Sequence, residues 1–167
     1  LFPLANSGRH LAVYDPKTKE MKHISTCFGT HHLMFAEDAN NTLWTSGGGP
    51  LVFWLDAKTC ESTGDAARSH VWTALVLDTN GNGRRDAYVE PNQPVDPAKD
   101  KRVDAGFYAV MPSPVDGSIW GSYRANPGAV VRLVPGANPP ETALAEVYNV
   151  PAPGFGVRGD KKKKKGV

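Results

Sequence analysis

With 167 residues the chain is long enough for one domain with a core of its own and too short for a multi-domain assembly. Glycine and proline contribute 17 and 14 residues and apolar types 40%, and no apolar run approaches the ~18 residues of a membrane span, which points to a turn-rich, strand-dominated chain. The formal charge of +2 rests on residues 161–165, all lysine; without them 14 basic face 17 acidic residues, a mildly acidic body that excludes nucleic-acid binding through a basic surface.

In chain order, a period of about forty residues emerges. Its marker is a strand that ends in a tight turn: Val13-Tyr14-Asp15-Pro16, Trp54-Leu55-Asp56-Ala57, Val95-Asp96-Pro97-Ala98 and Leu133-Val134-Pro135-Gly136. The turn positions Asp15, Asp56, Asp96 and Pro135 step by 41, 40 and 39 residues. Aspartate bonds its own downstream backbone and proline fixes φ, so these residue types preorganise turns. Between them an apolar strand, a polar turn and a tryptophan strand recur, as Leu33-Met34-Phe35 then Leu43-Trp44-Thr45, and as Ala109-Val110-Met111 then Ile119-Trp120-Gly121. Residues 71–77 and Ala87-Tyr88-Val89 form an altered middle copy. No amphipathic helix is expected.

About four short strands per forty residues is the unit of a β-propeller blade. The period therefore predicts an all-β chain of propeller blades, about three four-stranded blades plus fragments. The expected units are the end of a preceding blade (1–29), a blade (30–70), a blade with a calcium-type loop (71–106), a blade (107–151) and an irregular tail (152–167). A ring takes about four to eight blades, so the chain is expected to be a fragment, with further blades or a completing chain as its partner. The start at Leu1, with no signal segment before it, reads as a processed or truncated beginning.

The loop 78–86 carries oxygen side chains at positions 1, 3, 5 and 9 and glycine at 6, the spacing by which a loop wraps calcium. The expected ligands are Asp78, Asn80, Asn82 and Asp86, with the Arg84 carbonyl and Glu90, although Val89 stands where the bidentate glutamate usually does. A hairpin loop that uses Asn-Gly pairs for positive φ fits the same residues.

His31 and His32 open the apolar strand expected to be innermost, where one imidazole serves as base or ligand while alternation sends the other to the opposite face. Structural histidines bonded to carbonyls are the competing reading. Glu37 and Asp38 are near enough in sequence to orient one ring, and Phe107-Tyr108 and Val71-Trp72 at matching places suggest a channel mouth lined by aromatics, suited to an apolar ligand with a polar handle. Trp44 and Trp120, at matching repeat positions, read as packing between blades.

Other matches carry less. Residues 154–159 fit GxGxxG but follow prolines and precede lysines rather than a helix, which excludes a dinucleotide loop. Arg158-Gly159-Asp160 and the sequon Asn40-Asn41-Thr42 are triplets of chance frequency, and Cys27 and Cys60 allow one disulfide or two thiols.

The residues Thr30-His31-His32-Leu33 with Leu43-Trp44-Thr45, and Asp116-Gly117-Ser118-Ile119-Trp120-Gly121, resemble the repeat of streptogramin B lyase (virginiamycin B lyase)-like propellers of bacteria. The resemblance implies a multi-bladed propeller in which a channel histidine, beside a divalent cation, opens a cyclic ester by elimination. His31 or His32 inherits the base role, and magnesium becomes the cofactor. Two functions follow as expectations: a calcium-supported propeller serving as a binding or scaffold domain of an exported, periplasmic or secreted bacterial protein, or a lyase of that kind.

Overall fold

The computed structural model describes residues 9–26, 29–47 and 49–158. The chain opens with a hairpin, β1 (His10–Asp15) and β2 (Glu20–Ser25), paired from His10↔Ser25 to Asp15↔Glu20. Its turn is aspartate chemistry: the Asp15 carboxylate accepts from the Lys17 and Thr18 amides at 2.8 and 3.4 Å. Lys19 takes a left-handed φ of 60° to close it.

A four-stranded antiparallel sheet follows, in sequential order: β3 (Thr30–Phe35), β4 (Thr42–Gly47), β5 (Leu51–Asp56) and β6 (His70–Ala74). Asp38 makes the β3–β4 turn, accepting from the amides of Asn40 and Thr42. Between β5 and β6 lie two short helices, α1 (Ala57–Thr63) and α2 (Ala66–Ser69), N-capped by the Asp56 and Asp65 carboxylates. Gly64 ends α1 in the left-handed conformation. α1 buries no residue fully, which is why no apolar stripe announces it in the sequence.

Next come β7 (Val76–Leu77), β8 (Tyr88–Val89) and β9 (Asp100–Arg102), a small sheet ordered β7-β9-β8 in which β8 and β9 run parallel. The last sheet is again a sequential antiparallel meander: β10 (Val110–Pro112), β11 (Ile119–Tyr123), β12 (Ala129–Val134) and β13 (Leu144–Asn149), with a single turn of helix, α3 (Pro139–Thr142), between the last two.

The expected propeller is not what these strands build. They fall into four separate sheets, none closed into a ring, and the middle unit is not a blade. Val71 to Ala74, expected to begin that unit, is instead the fourth strand of the preceding sheet, paired Val52↔Thr73 and Trp54↔Val71. What remains of the unit gives three strands, one pair of them parallel, which no up-and-down blade contains. The forty-residue period dissolves for a local reason. Asp15 closes a hairpin, Asp56 caps a helix, Asp96 accepts from the Ala98 amide in a loop, and Pro135 precedes a left-handed Gly136. The same turn chemistry serves four different structures, so its spacing does not mark a repeating unit. No arrangement of further blades follows from it.

One core joins the two meanders and the small sheet through Trp44, Val52, Leu75, Phe107, Val110, Ile119, Val131 and Leu133. A second seats the hairpin, with Leu11 and Ile24 against Leu43, Phe53 and Leu55. β10 lies beside β3 and β4, which brings the start of one meander against the start of the other. Among the described residues no helix is long and apolar enough to cross a membrane.

Candidate functional site

Strict alternation would send His31 and His32 to opposite faces of β3. They lie together because the strand carries a bulge. Thr30 pairs with Gly47 and Leu33 with Thr45, so three steps on β3 face two on β4, and both histidines oppose Ser46. The buried Ser46 hydroxyl accepts from the His32 amide at 2.9 Å, satisfying a backbone donor that the disturbed ladder leaves over. The two imidazole Nδ1 atoms then sit 2.6 Å apart, and the His32 Nδ1 is 2.7 Å from the Tyr108 carbonyl oxygen.

The opposite wall comes from the segment entering β10. Phe107, 2% exposed, packs on Gly121 of β11, where a Cβ would collide with its ring. Seating Phe107 aims the neighbouring Tyr108 the other way, toward the histidines. Tyr108 donates its amide to the Ser122 carbonyl at 2.8 Å, and the Ser122 hydroxyl accepts from the Ala109 amide at 3.1 Å. Ser46 and Ser122 thus play matching parts, each buried and each two residues after a tryptophan. The Tyr108 ring centre is 4.9 Å from His31 and 4.7 Å from His32. The Arg124 guanidinium lies 4.5 Å over the same ring.

These groups enclose a cleft of about 320 Å³ lined by Gly29, Thr30, His31, Gly47, Phe107, Tyr108 and Arg124. That volume is at the lower end of the ~300–1,000 Å³ typical of small-molecule sites. Among the described residues its ionisable side chains are a histidine, a tyrosine and an arginine, with no carboxylate in the lining.

One placement of protons satisfies both contacts at the His32 Nδ1. The Tyr108 carbonyl can only accept, so that placement puts the His32 proton on Nδ1, shared between the Tyr108 carbonyl and the His31 Nδ1. The His31 Nδ1 is then an acceptor, and the His31 proton resides on Nε2. Asp38, expected to orient a histidine, instead spends its carboxylate on the β3–β4 turn.

The calcium-type loop folds differently from the expectation. Among the described residues no three His, Cys, Asp or Glu side chains form a group that could hold a metal ion. Asp78 accepts from the amides of Gly81, Asn82 and Gly83, and Asn80 and Asn82 turn their NH2 groups to Asp86 at 2.9 and 2.6 Å. Those two amides hold the Asp86 carboxyl below its ordinary value. The Arg84 amide donates to Asn82, and Glu90 pairs with Arg102 at 2.9 Å. The loop's oxygens thus bond the loop itself, the expected calcium loses its ligand set, and neither a calcium-supported scaffold nor a magnesium-assisted elimination is supported.

No family model, curated protein or solved structure matches this chain. With the ring absent and no match to carry it, the resemblance to streptogramin B lyase-like propellers fails. His31 and His32 are left as partners in a cleft between two sheets, not as residues of a central channel.

Cys60 is a half-buried free cysteine at α1, and Cys27 lies outside the described residues, as do residues 159–167 with the lysine run and most of the Arg-Gly-Asp triplet. A second, broader hollow of about 860 Å³ borders β6, with Trp72 and Tyr88 exposed at 47% and 39%. Its one arginine, Arg85, is committed to structure: Nη1 donates to the Thr73 hydroxyl and the Ala74 and Ala143 carbonyls at 2.8, 3.2 and 3.0 Å. Sequence reasoning singled out the histidines and Tyr108 but passed over Ser46, Ser122 and Arg124. The recurring spacing Trp44-Thr45-Ser46 and Trp120-Gly121-Ser122 was the available signal for the two serines.

Proposed function

We propose that the chain is a small-ligand binding module, with the cleft between the starts of the two meanders as its site. The supporting observation is the β3 bulge, which turns two consecutive histidines onto one side and against Tyr108. A bulge interrupts the ladder and leaves a backbone donor to be satisfied from elsewhere, so it persists only where the surroundings specify it. Here Ser46 does so from β4 and the Tyr108 carbonyl from the segment before β10. The aromatic walls suit a flat apolar body, and the polar atoms of His31, Thr30 and Arg124 suit a polar handle on it.

The test is a titration of isotope-labelled protein with benzoate and with benzamide, followed by NMR. Binding by either, with shifts concentrated at Gly29, Gly47 and Tyr108 and abolished by Tyr108→Ala, supports the reading. The absence of shifts at those residues with both compounds overturns it.

A further inference from the structure

Taking the cleft as a ligand site, we infer that its ligand carries an anionic group, a carboxylate or its like, held by the Arg124 guanidinium and the His31 Nε2–H, with His32 as the positioning residue that fixes the His31 tautomer. The inference rests on the binding reading above and deepens it.

Three observations converge. The first is charge: among the described residues Arg124 lines the cleft, no carboxylate lines it, and Arg124 enters no ion pair. An exposed guanidinium resting on a tyrosine face keeps its donor edge free for a planar acceptor, the geometry in which arginine binds carboxylates with two parallel bonds.

The second is the proton inventory. A free imidazole presents either a donor or an acceptor at Nε2, and a ligand of either kind can choose. In the proton placement that satisfies both contacts at the His32 Nδ1, the His31 Nδ1 accepts a share of the His32 proton and His31 presents a donor at Nε2. The cleft thus offers donors at both arginine and histidine, which match a group that only accepts. A neutral amide, with an NH2 of its own to place, leaves one of its donors facing another donor.

The third is the surroundings of His32. Among the described residues, the titratable and charged groups facing it are His31 on its own strand and Tyr108 from the segment before β10, with Arg124 beyond the tyrosine ring. β4 contributes the Ser46 hydroxyl, which is uncharged. The His32 Nδ1 thus meets the Tyr108 carbonyl and the His31 Nδ1 together, and the proton it shares with them sets the His31 tautomer.

The experiment compares benzoate with benzamide, which share a ring and differ in charge and donors, by calorimetry on the full chain at pH 7. Benzoate is expected to bind at least about tenfold more tightly. Arg124→Gln is expected to erase that difference, weakening benzoate by about tenfold or more and benzamide by less. Equal affinities for the two compounds in the unmodified protein overturn the anionic assignment and leave the cleft a binding site, whereas binding of neither removes the site itself.

For the positioning role, nitrogen NMR of the imidazoles reads the tautomer directly. His31 is expected to show an unprotonated Nδ1 and a protonated Nε2, and His32→Ala to return it to a mixture while weakening benzoate more than benzamide. His32→Gln, whose amide can donate to the His31 Nδ1, is expected to restore part of the loss. A protonated His31 Nδ1 in the unmodified protein, or an unchanged His31 spectrum in His32→Ala, overturns the positioning role.

Discussion

Replacing Ser46 by alanine isolates the device that holds the bulge. The side chain is 0% exposed, and its hydroxyl is the acceptor for the His32 amide at 2.9 Å. Losing it leaves that amide without a partner, at a cost of about 1–3 kcal/mol when water cannot substitute. The His32 side of the bond is exposed, so solvent reaches part of the gap and the lower end applies, about 1 kcal/mol. Urea unfolding gives the stability change, and imidazole nitrogen NMR reports whether the histidine pair survives. The matched variant is Ser122→Ala, which deprives the Ala109 amide of its acceptor in the other meander and so loosens the peptide whose Tyr108 carbonyl meets His32. Both variants should lose about 1 kcal/mol, and both should alter the His31 imidazole spectrum, one from the β3 bulge and the other from the Tyr108 side. Identical imidazole spectra in Ser46→Ala and the unmodified protein would refute the argument that the serine sets the bulge.

Gly121→Ala puts a methyl group into the Phe107 ring and should cost about 1–3 kcal/mol by overpacking, with the Tyr108 resonances displaced in the same sample. Arg85→Leu removes one nitrogen from two carbonyls and a hydroxyl across β6 and the start of β13, and is expected to lose about 2–4 kcal/mol in urea unfolding. On the outer face of the last meander, Ser113, Ser118 and Arg132 hold the Asp116 carboxyl far below its ordinary value, and Tyr148 with Arg132 lowers Glu146. Both groups bind protons more weakly folded than unfolded. Their stabilisation is therefore complete above about pH 5 and lost as pH falls through the folded values. Thermal melts between pH 6 and pH 2 should show this slope flattened in Glu146→Gln, and an unchanged slope in that variant would contradict the assignment.

Several strands and turns were legible in the sequence, because alternation and Asx turns are local, although Val95 lies in a loop rather than the expected strand and the expected 71–77 strand divides between two sheets. Asp15, Asp38, Asp96 and Asp116 all accept from amides two or more residues on. What was not legible is which sheet a strand joins. Val71 to Ala74 reads the same as the first strand of one unit or the last of another, and only pairing with β5 decides it. The histidines were found and their relation was missed for a similar reason. A bulge is visible as a mismatch of register between two strands, and a single strand carries no register. The calcium-type spacing was real as a pattern, but asparagine amides have a donor end as well as an oxygen, and here the donor ends face Asp86.

Leu75 stands between β6 and β7, so one residue, 0% exposed, carries the chain from the first meander into the small sheet, and its carbonyl accepts from the Val103 amide at 2.8 Å. No loop intervenes to absorb a displacement. The small sheet that holds the 78–86 turn and the sheet whose far edge carries the histidine bulge are therefore joined at a single buried corner rather than by a flexible link.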